Sequence, residues 1–279
     1  VRPMGAHKGS CGRILVIPGS RGRTGAAVLA SEAVLRSGAG IATLAAAESL
    51  HDILEVKLTE VMTRPVPEIA PGVLGMTALS TLLELAADYD AVLLGPGLGR
   101  QEETMELVRQ FAAQTECPLI LDADAIYAFN GRGTELKNLK HIPIFTPHLG
   151  EMASLLQLSV PELRESLVDM SREAAREYQA IFVVKSECTI VVYPEGPVFF
   201  TSHGNAGMAS AGCGDVLAGT IAGLFGQLRS SLAPLAGVYL HGLAGDLAAE
   251  EAGDGLIASD VLRLLPKARC MHPQAKSDK

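Results

Sequence analysis

A chain of 279 residues, 48% of them hydrophobic, can bury a large core and fits one α/β domain or two small ones; we read one, spanning 1–279. Its net charge of −8, with no dense run of Lys or Arg, lacks the footprint of a nucleic-acid binder, and 4% aromatics without Trp leave little to stack bases or sugars on. No run of ~18 apolar residues spans a bilayer and the first residues lack the basic start and apolar stretch of a signal peptide, so a cytoplasmic protein with no membrane partner is expected.

In chain order, short apolar runs at 14–17, 41–45, 91–94, 119–121, 142–145 and 181–184 read as buried strands. Amphipathic or small-residue patterns at 26–36, 76–87, 102–114, 161–179, 215–228 and 235–251 read as helices. This alternation predicts a mostly parallel sheet covered on both faces. Two further runs, 189–193 and 198–201, flank Pro194-Glu195-Gly196-Pro197 and predict a late antiparallel hairpin. The tail from about Ala268 onward is expected to be disordered.

In open sheets of this kind ligands sit beyond the carboxyl ends of the strands, and every candidate motif falls there. The most informative is Gly204 to Gly219, a glycine-rich turn ending in Gly212-Cys213-Gly214-Asp215 that opens into an apolar helix. Glycines there let backbone approach a ligand, and the first N–H groups of the helix carry partial positive charge, so the turn suits a phosphate. Asp215 is oddly placed beside an anion unless it moves a proton or holds a cation; the plain alternative is a carboxylate favoured by the helix dipole. Gly95 to Gly99 is a weaker phosphate-loop candidate that could be a tight turn, and Gly19 to Gly25 a loop that lets backbone near a ligand or merely flexes.

His148 closes Thr146-Pro147-His148, where an imidazole could contact substrate or shuttle protons, or be structural. Glu151 reads as a first-turn helix carboxylate. Asp122 and Asp124 could hold Mg2+ through water or cap a helix at Ala125. Lys185 leaves a buried strand and offers an ammonium to a phosphate or to a salt bridge. Five scattered cysteines without C-x-x-C spacing suggest neither zinc nor disulfides; Cys213 in the turn is read as inert.

Together, Lys8 to Arg13, Ile14 to Ser20, Thr24 to Ala27, Gly95 to Gly99, Asp122 to Ala125, Thr146 to Glu151 and Gly204 to Gly219 resemble, in order and over about 8–266, the ADP- or ATP-dependent NAD(P)H-hydrate dehydratases of the ribokinase-like superfamily. Pro18, Leu149, Ser186, Ala206 and Cys213 depart from residues common in that family. The resemblance implies a three-layer α/β/α sandwich and a repair reaction in which ADP drives dehydration of NADHX or NADPHX to NADH or NADPH, giving AMP and phosphate. It implies substrate contacts at Ala26, Gly97, His148 and Asp215, with Asp215 the base. Nucleotide contacts fall at Lys185, Ser186, Glu187, Cys188, Thr189 and Gly214, with backbone N–H groups of Gly212, Cys213 and Gly214 as the anion hole. Mg2+ would arrive on the nucleotide phosphates. A homotetramer and a functional link to an NAD(P)H-hydrate epimerase are further implications; the epimerase domain of many bacterial members has no counterpart in the sequence, which reads as a dehydratase alone or an excised portion. The alternatives are a superfamily kinase phosphorylating a vitamin-precursor alcohol and a non-catalytic nucleotide-binding regulator.

Overall fold

The computed structural model describes residues 5–228 and 231–271. Nine strands form one sheet: β1 Arg13–Ile17, β2 Ile41–Ala47, β3 Met62–Val66, β4 Ala91–Leu94, β5 Leu119–Leu121, β6 Ile144–Phe145, β7 Ile181–Val184, β8 Ile190–Val192 and β9 Phe199–Phe200. Their order is β3-β2-β1-β4-β5-β6-β7-β8-β9. The strands from β1 to β7 pair in parallel, and β8 and β9 add on antiparallel. The central strands are apolar on both faces because helices cover both; Ile14, Leu15, Val16 and Ile17 are all fully buried.

One helical layer holds α1 Thr24–Arg36 with the three late helices, whereas α3 Leu79–Ala86, α4 Glu102–Gln114, α5 Asp124–Tyr127, α6 Leu149–Leu155, α7 Val160–Glu165 and α8 Leu167–Tyr178 pack in succession. A short α2, His51–Lys57, lies against β3. The late helices are α9 Cys213–Phe225, α10 Ala233–Ala252 and α11 Ala258–Cys270. The expected three-layer α/β sandwich with a mostly parallel sheet and a late hairpin is therefore what the chain forms.

The differences in detail have local causes. The single helix expected at 161–179 is two, broken at Ser166, whose backbone (φ −141°, ψ 38°) leaves the helical region. The edge strand β3 carries Pro65, which only an edge tolerates, and so gives no clean strand pattern. The tail expected to be disordered from Ala268 is helical through Cys270, with Ala268 fully buried; residues 272–279 lie outside the described residues. The five cysteines are free, and burial pushes the Cys117 thiol up to about 12.

Close packing of α1 on α9 sets the position of the site. A methyl on Gly219 would strike the Ala30 carbonyl and Ala33, and one on Gly223 the Val34 carbonyl and Ser37. The pairing advances by four residues on each helix, so the helices run in the same direction. Extended one turn back, the same register aligns Asp215 with Ala26, toward the carboxyl edge of the sheet.

Candidate active site

The α9 helix starts where Gly212 takes a left-handed conformation (φ 97°, ψ −20°). No other residue fits there easily, because a Cβ would lie 2.6 Å from Leu29 and 2.9 Å from Ala258. The Cys213 N–H makes a long bond, 3.4 Å, to the Ser210 carbonyl. Gly214 and Asp215 supply the next first-turn amides, whose intrahelical acceptors do not exist. At Gly214 a Cβ would lie 3.1 Å from Lys185 Nζ, a tight contact with the end of that side chain.

Asp215 has no hydrogen-bond or ion-pair partner among the described residues. Burial pushes its carboxyl up to about 7, and the negative charges of Asp122, Asp124 and Glu151 add to that, outweighing Lys185. A carboxyl half-ionised at neutral pH can accept a proton from an alcohol, which an ordinary aspartate does poorly.

The cations around it are already matched. Lys185 Nζ lies 3.0 Å from Asp122 Oδ1, which also accepts from Thr146 Oγ1 at 2.6 Å. Burial alone would lower the Lys185 pKa, but Asp122, Glu151 and Asp215 outweigh it and the ammonium is held above its ordinary value. Asp124 takes Arg23 Nη1 at 3.2 Å, Arg100 Nε at 2.6 Å and the Gly99 amide at 2.9 Å. The two aspartates part ways at Ala123, whose φ of 51° and ψ of −117° belong to a turn position ordinarily held by glycine. The Ala125 amide closes that turn onto the Asp122 carbonyl at 3.1 Å.

His148 caps α6: its Nδ1 accepts from the Gly150 and Glu151 amides at 3.0 and 3.2 Å, and Glu151 returns a bond to the His148 amide. With Nδ1 an acceptor, the proton of the neutral ring is on Nε2, and the side chain is 59% exposed. The Lys185 amide donates to the Pro147 carbonyl at 2.8 Å, which pins the His148 loop beside the end of β7.

A cavity of about 850 Å³ opens here, and among its lining residues are His148, Lys185, Ser186, Glu187, Thr189 and Gly214. Cys213 also lines it, whereas Cys188, Gly212, Ala26, Gly97 and Asp215 do not. Cys188 is exposed, its thiol set 3.3 Å from the Thr201 carbonyl. Ala26 and Gly97 form a second group: a Cβ on Gly97 would lie 3.0 Å from that of Ala26. Asp215 follows Gly214 in the first turn of α9, and the α1–α9 register seen at Gly219 and Gly223, extended by one turn, aligns it with Ala26.

Two residues of this region, both in α10, escaped the sequence reading. His241, inside α10, is buried with Nε2 3.0 Å from the Cys213 carbonyl, and burial pushes its pKa down to about 4, so a neutral imidazole supports the anion turn. Asp246 accepts from the Gly204 amide and Asn205 Nδ2, and lies 3.0 Å from His203 Nδ1, tying the 203–205 wall of the cavity to α10. A polar residue within an apolar helix was the available signal, but it reads equally as a satisfied core residue.

The family model for NAD(P)H-hydrate dehydratase matches residues 14–267. The bifunctional NAD(P)H-hydrate repair enzyme of Moorella thermoacetica is 42% identical over 268 residues, covering 95% of this chain and 50% of that protein. The chain thus spans about half the length of such bifunctional relatives. The ADP-dependent (S)-NAD(P)H-hydrate dehydratase of Enterococcus faecalis is 33% identical over 248 residues, 88% of this chain and 80% of that one. A Bacillus subtilis ADP/ATP-dependent NAD(P)H-hydrate dehydratase co-crystallised with ATP and Mg2+ superposes with a TM-score of 0.81 at 28% identity, covering 97% of this chain and 93% of that one. The shared architecture is the ribokinase-like one.

Proposed function

The chain belongs to the NAD(P)H-hydrate dehydratase family, and from that premise we propose that it restores NADHX and NADPHX to NADH and NADPH at the expense of ADP, releasing AMP and phosphate. The observation that carries the reading is Asp215: an unpaired carboxyl pushed up to about 7, at a helix start whose amides lack intrahelical acceptors. The ADP dependence named for the Enterococcus relative supports the choice of nucleotide.

In this reading ADP occupies the 850 Å³ cavity, with Lys185 and Ser186 through Thr189 along it and the amides of Gly212, Cys213 and Gly214 facing the transferring phosphoryl group. The hydrate lies over Ala26 and Gly97 and toward His148 Nε2–H. Its hydroxyl oxygen forms a bond to the β-phosphorus as the bond to AMP breaks, and Asp215 takes the hydroxyl proton. The new phosphate ester then loses phosphate as the ring gives up a proton, restoring the double bond.

The residues fit a magnesium ion that arrives on the nucleotide and not one held in a cage. Among the described residues no group of three or more His, Cys, Asp or Glu is placed to ligate a metal, and both oxygens of Asp124 are engaged. Around Asp215, however, Asp122, Glu151 and Asp215 face the single ammonium of Lys185, an excess of negative charge that favours a divalent cation. Asp122 would face it through water; when bound, the ion neutralises phosphate charge.

We further treat residues 1–279 as one dehydratase domain acting in the cytoplasm as a homotetramer, with an NAD(P)H-hydrate epimerase as functional partner. The bifunctional names of the half-matched relatives support that link. The decisive experiment incubates the purified chain with hydrated NADH or NADPH, Mg2+ and ADP or ATP. Near-ultraviolet absorbance and free phosphate should recover together. Accumulation of a phosphorylated alcohol would establish a kinase instead, and nucleotide binding without any turnover a regulator.

A further inference from the structure

The reaction leaves unexplained a second cavity of about 400 Å³, lined by Ser20, Arg21, Arg23, Gly72, Gly99 and Arg100 among others. It is continuous with the Ala26–Gly97 group: Ser20 Oγ donates to the Gly97 carbonyl at 2.8 Å, and a Cβ on Gly97 would lie 3.0 Å from that of Arg23. Three arginines line it; Arg23 and Arg100 share one carboxylate, Asp124, while the Glu68 carboxylate beside the cavity accepts from the Gly72 amide at 2.9 Å.

Two of the guanidiniums, those of Arg23 and Arg100, are held in place. Asp124, its side chain 9% exposed, takes Arg100 through Nε and Arg23 through a single Nη1, which leaves both terminal nitrogens of Arg100 for another acceptor. Arg100 also lies over the Tyr127 ring, 4.5 Å from its centroid. Arg21 has no carboxylate partner among the described residues. Planar forks fixed before a ligand arrives, half-exposed at the rim of a cavity, suit phosphate oxygens taken in pairs, and fixing them in advance reduces the ordering cost of binding.

We infer that Arg21, Arg23 and Arg100 form an anion subsite for the phosphate groups of the dinucleotide substrate, either its diphosphate bridge or the 2′-phosphate of the phosphorylated cofactor. The inference rests on the reading above, since a hydrate lying over Ala26 and Gly97 is what brings those phosphates to the cavity.

The test is the variant Arg21→Gln combined with Arg100→Gln, which leaves Asp124 paired with Arg23 and the Gly99 amide. In wild type and variant, KM is measured for NADHX, NADPHX and ADP, and the dissociation constants of NADH and NADPH by calorimetry, with circular dichroism to verify folding. Losing a charge-assisted contact predicts roughly a tenfold rise per guanidinium, about 100-fold together, in the dinucleotide constants, with the KM for ADP within twofold. A loss equal for both cofactors assigns the diphosphate, and a loss confined to the phosphorylated forms assigns the 2′-phosphate. Unchanged dinucleotide constants in the folded variant overturn the subsite, as does a wild type that binds neither NADH nor NADPH. A wild type that binds NADPH through these arginines yet turns over no hydrate upholds the subsite and removes the catalytic reading.

Discussion

Replacing Asp215 by Asn should lower activity and raise stability together, and the two effects have one source. The folded state keeps this carboxyl protonated up to about 7, whereas in the unfolded chain it ionises near 3.8. The native state therefore holds more protons between those values. Stability is fully present below 3.8 and is lost as pH rises through about 7. A shift of that size corresponds to about 4 kcal/mol at full weight, and residual solvent access makes a figure on the order of 2–3 kcal/mol reasonable above pH 8. Asn has no charge to desolvate, so D215N should melt higher than wild type at pH 8.5, by roughly 4–6 °C at about 2 °C per kcal/mol. The gap should narrow toward pH 5. In turnover, kcat/KM of the wild type should fall about tenfold per pH unit below its limb near 7, while D215N should lose about 10²-fold or more and show no limb. Melting curves from pH 5 to 8.5 and initial rates over the same range check both. A variant no more stable than wild type at pH 8.5, or one that keeps near-wild-type rates, refutes the assignment of Asp215 as a buried base.

Two further substitutions probe its neighbours. Lys185→Ala leaves the almost fully buried carboxylate of Asp122 with only Thr146, so urea denaturation should show a loss of about 3 kcal/mol, and calorimetry a weaker ADP affinity. Ala123→Gly relieves a backbone conformation that costs an alanine about 1–3 kcal/mol; after the added chain entropy of glycine, the net gain should be about 1 kcal/mol in the same denaturation assay.

The sequence made the architecture legible because the central strands are buried on both faces and therefore spelled by unbroken apolar runs such as 14–17 and 91–94. It hid elements whose residues answer to something other than burial. The edge strand β3 alternates exposed and buried residues around Pro65, and α11 contains Pro266 within a continuous helix. At the site, glycines and a carboxylate mark the anion turn in the sequence itself, since few other residues tolerate the φ of Gly212. What stayed hidden are partnerships across long separations: Lys185 with Asp122 over 63 positions, and Asp124 with Arg23 over 101. Asp122 and Asp124 looked like interchangeable metal ligands or helix caps because spacing cannot reveal that the turn at Ala123 sends them to different cations.

That divergence bears directly on the base role proposed for Asp215. A carboxylate close to an unmatched ammonium such as that of Lys185 would ordinarily be held below neutrality by it. Asp122 pairs with the ammonium and Asp124 with the guanidiniums, and both aspartates add to the effect of burial on Asp215, together outweighing Lys185. Asp122→Asn tests this directly. Asparagine can still accept from Thr146 and Lys185, but it no longer raises Asp215 or neutralises the ammonium, so the acid limb of kcat/KM should move to lower pH. The expected signature is a displaced limb with the plateau rate above it reduced far less than in D215N. An acid limb unmoved from that of the wild type would mean that burial alone sets the Asp215 pKa and that the paired aspartates serve only to bind their cations.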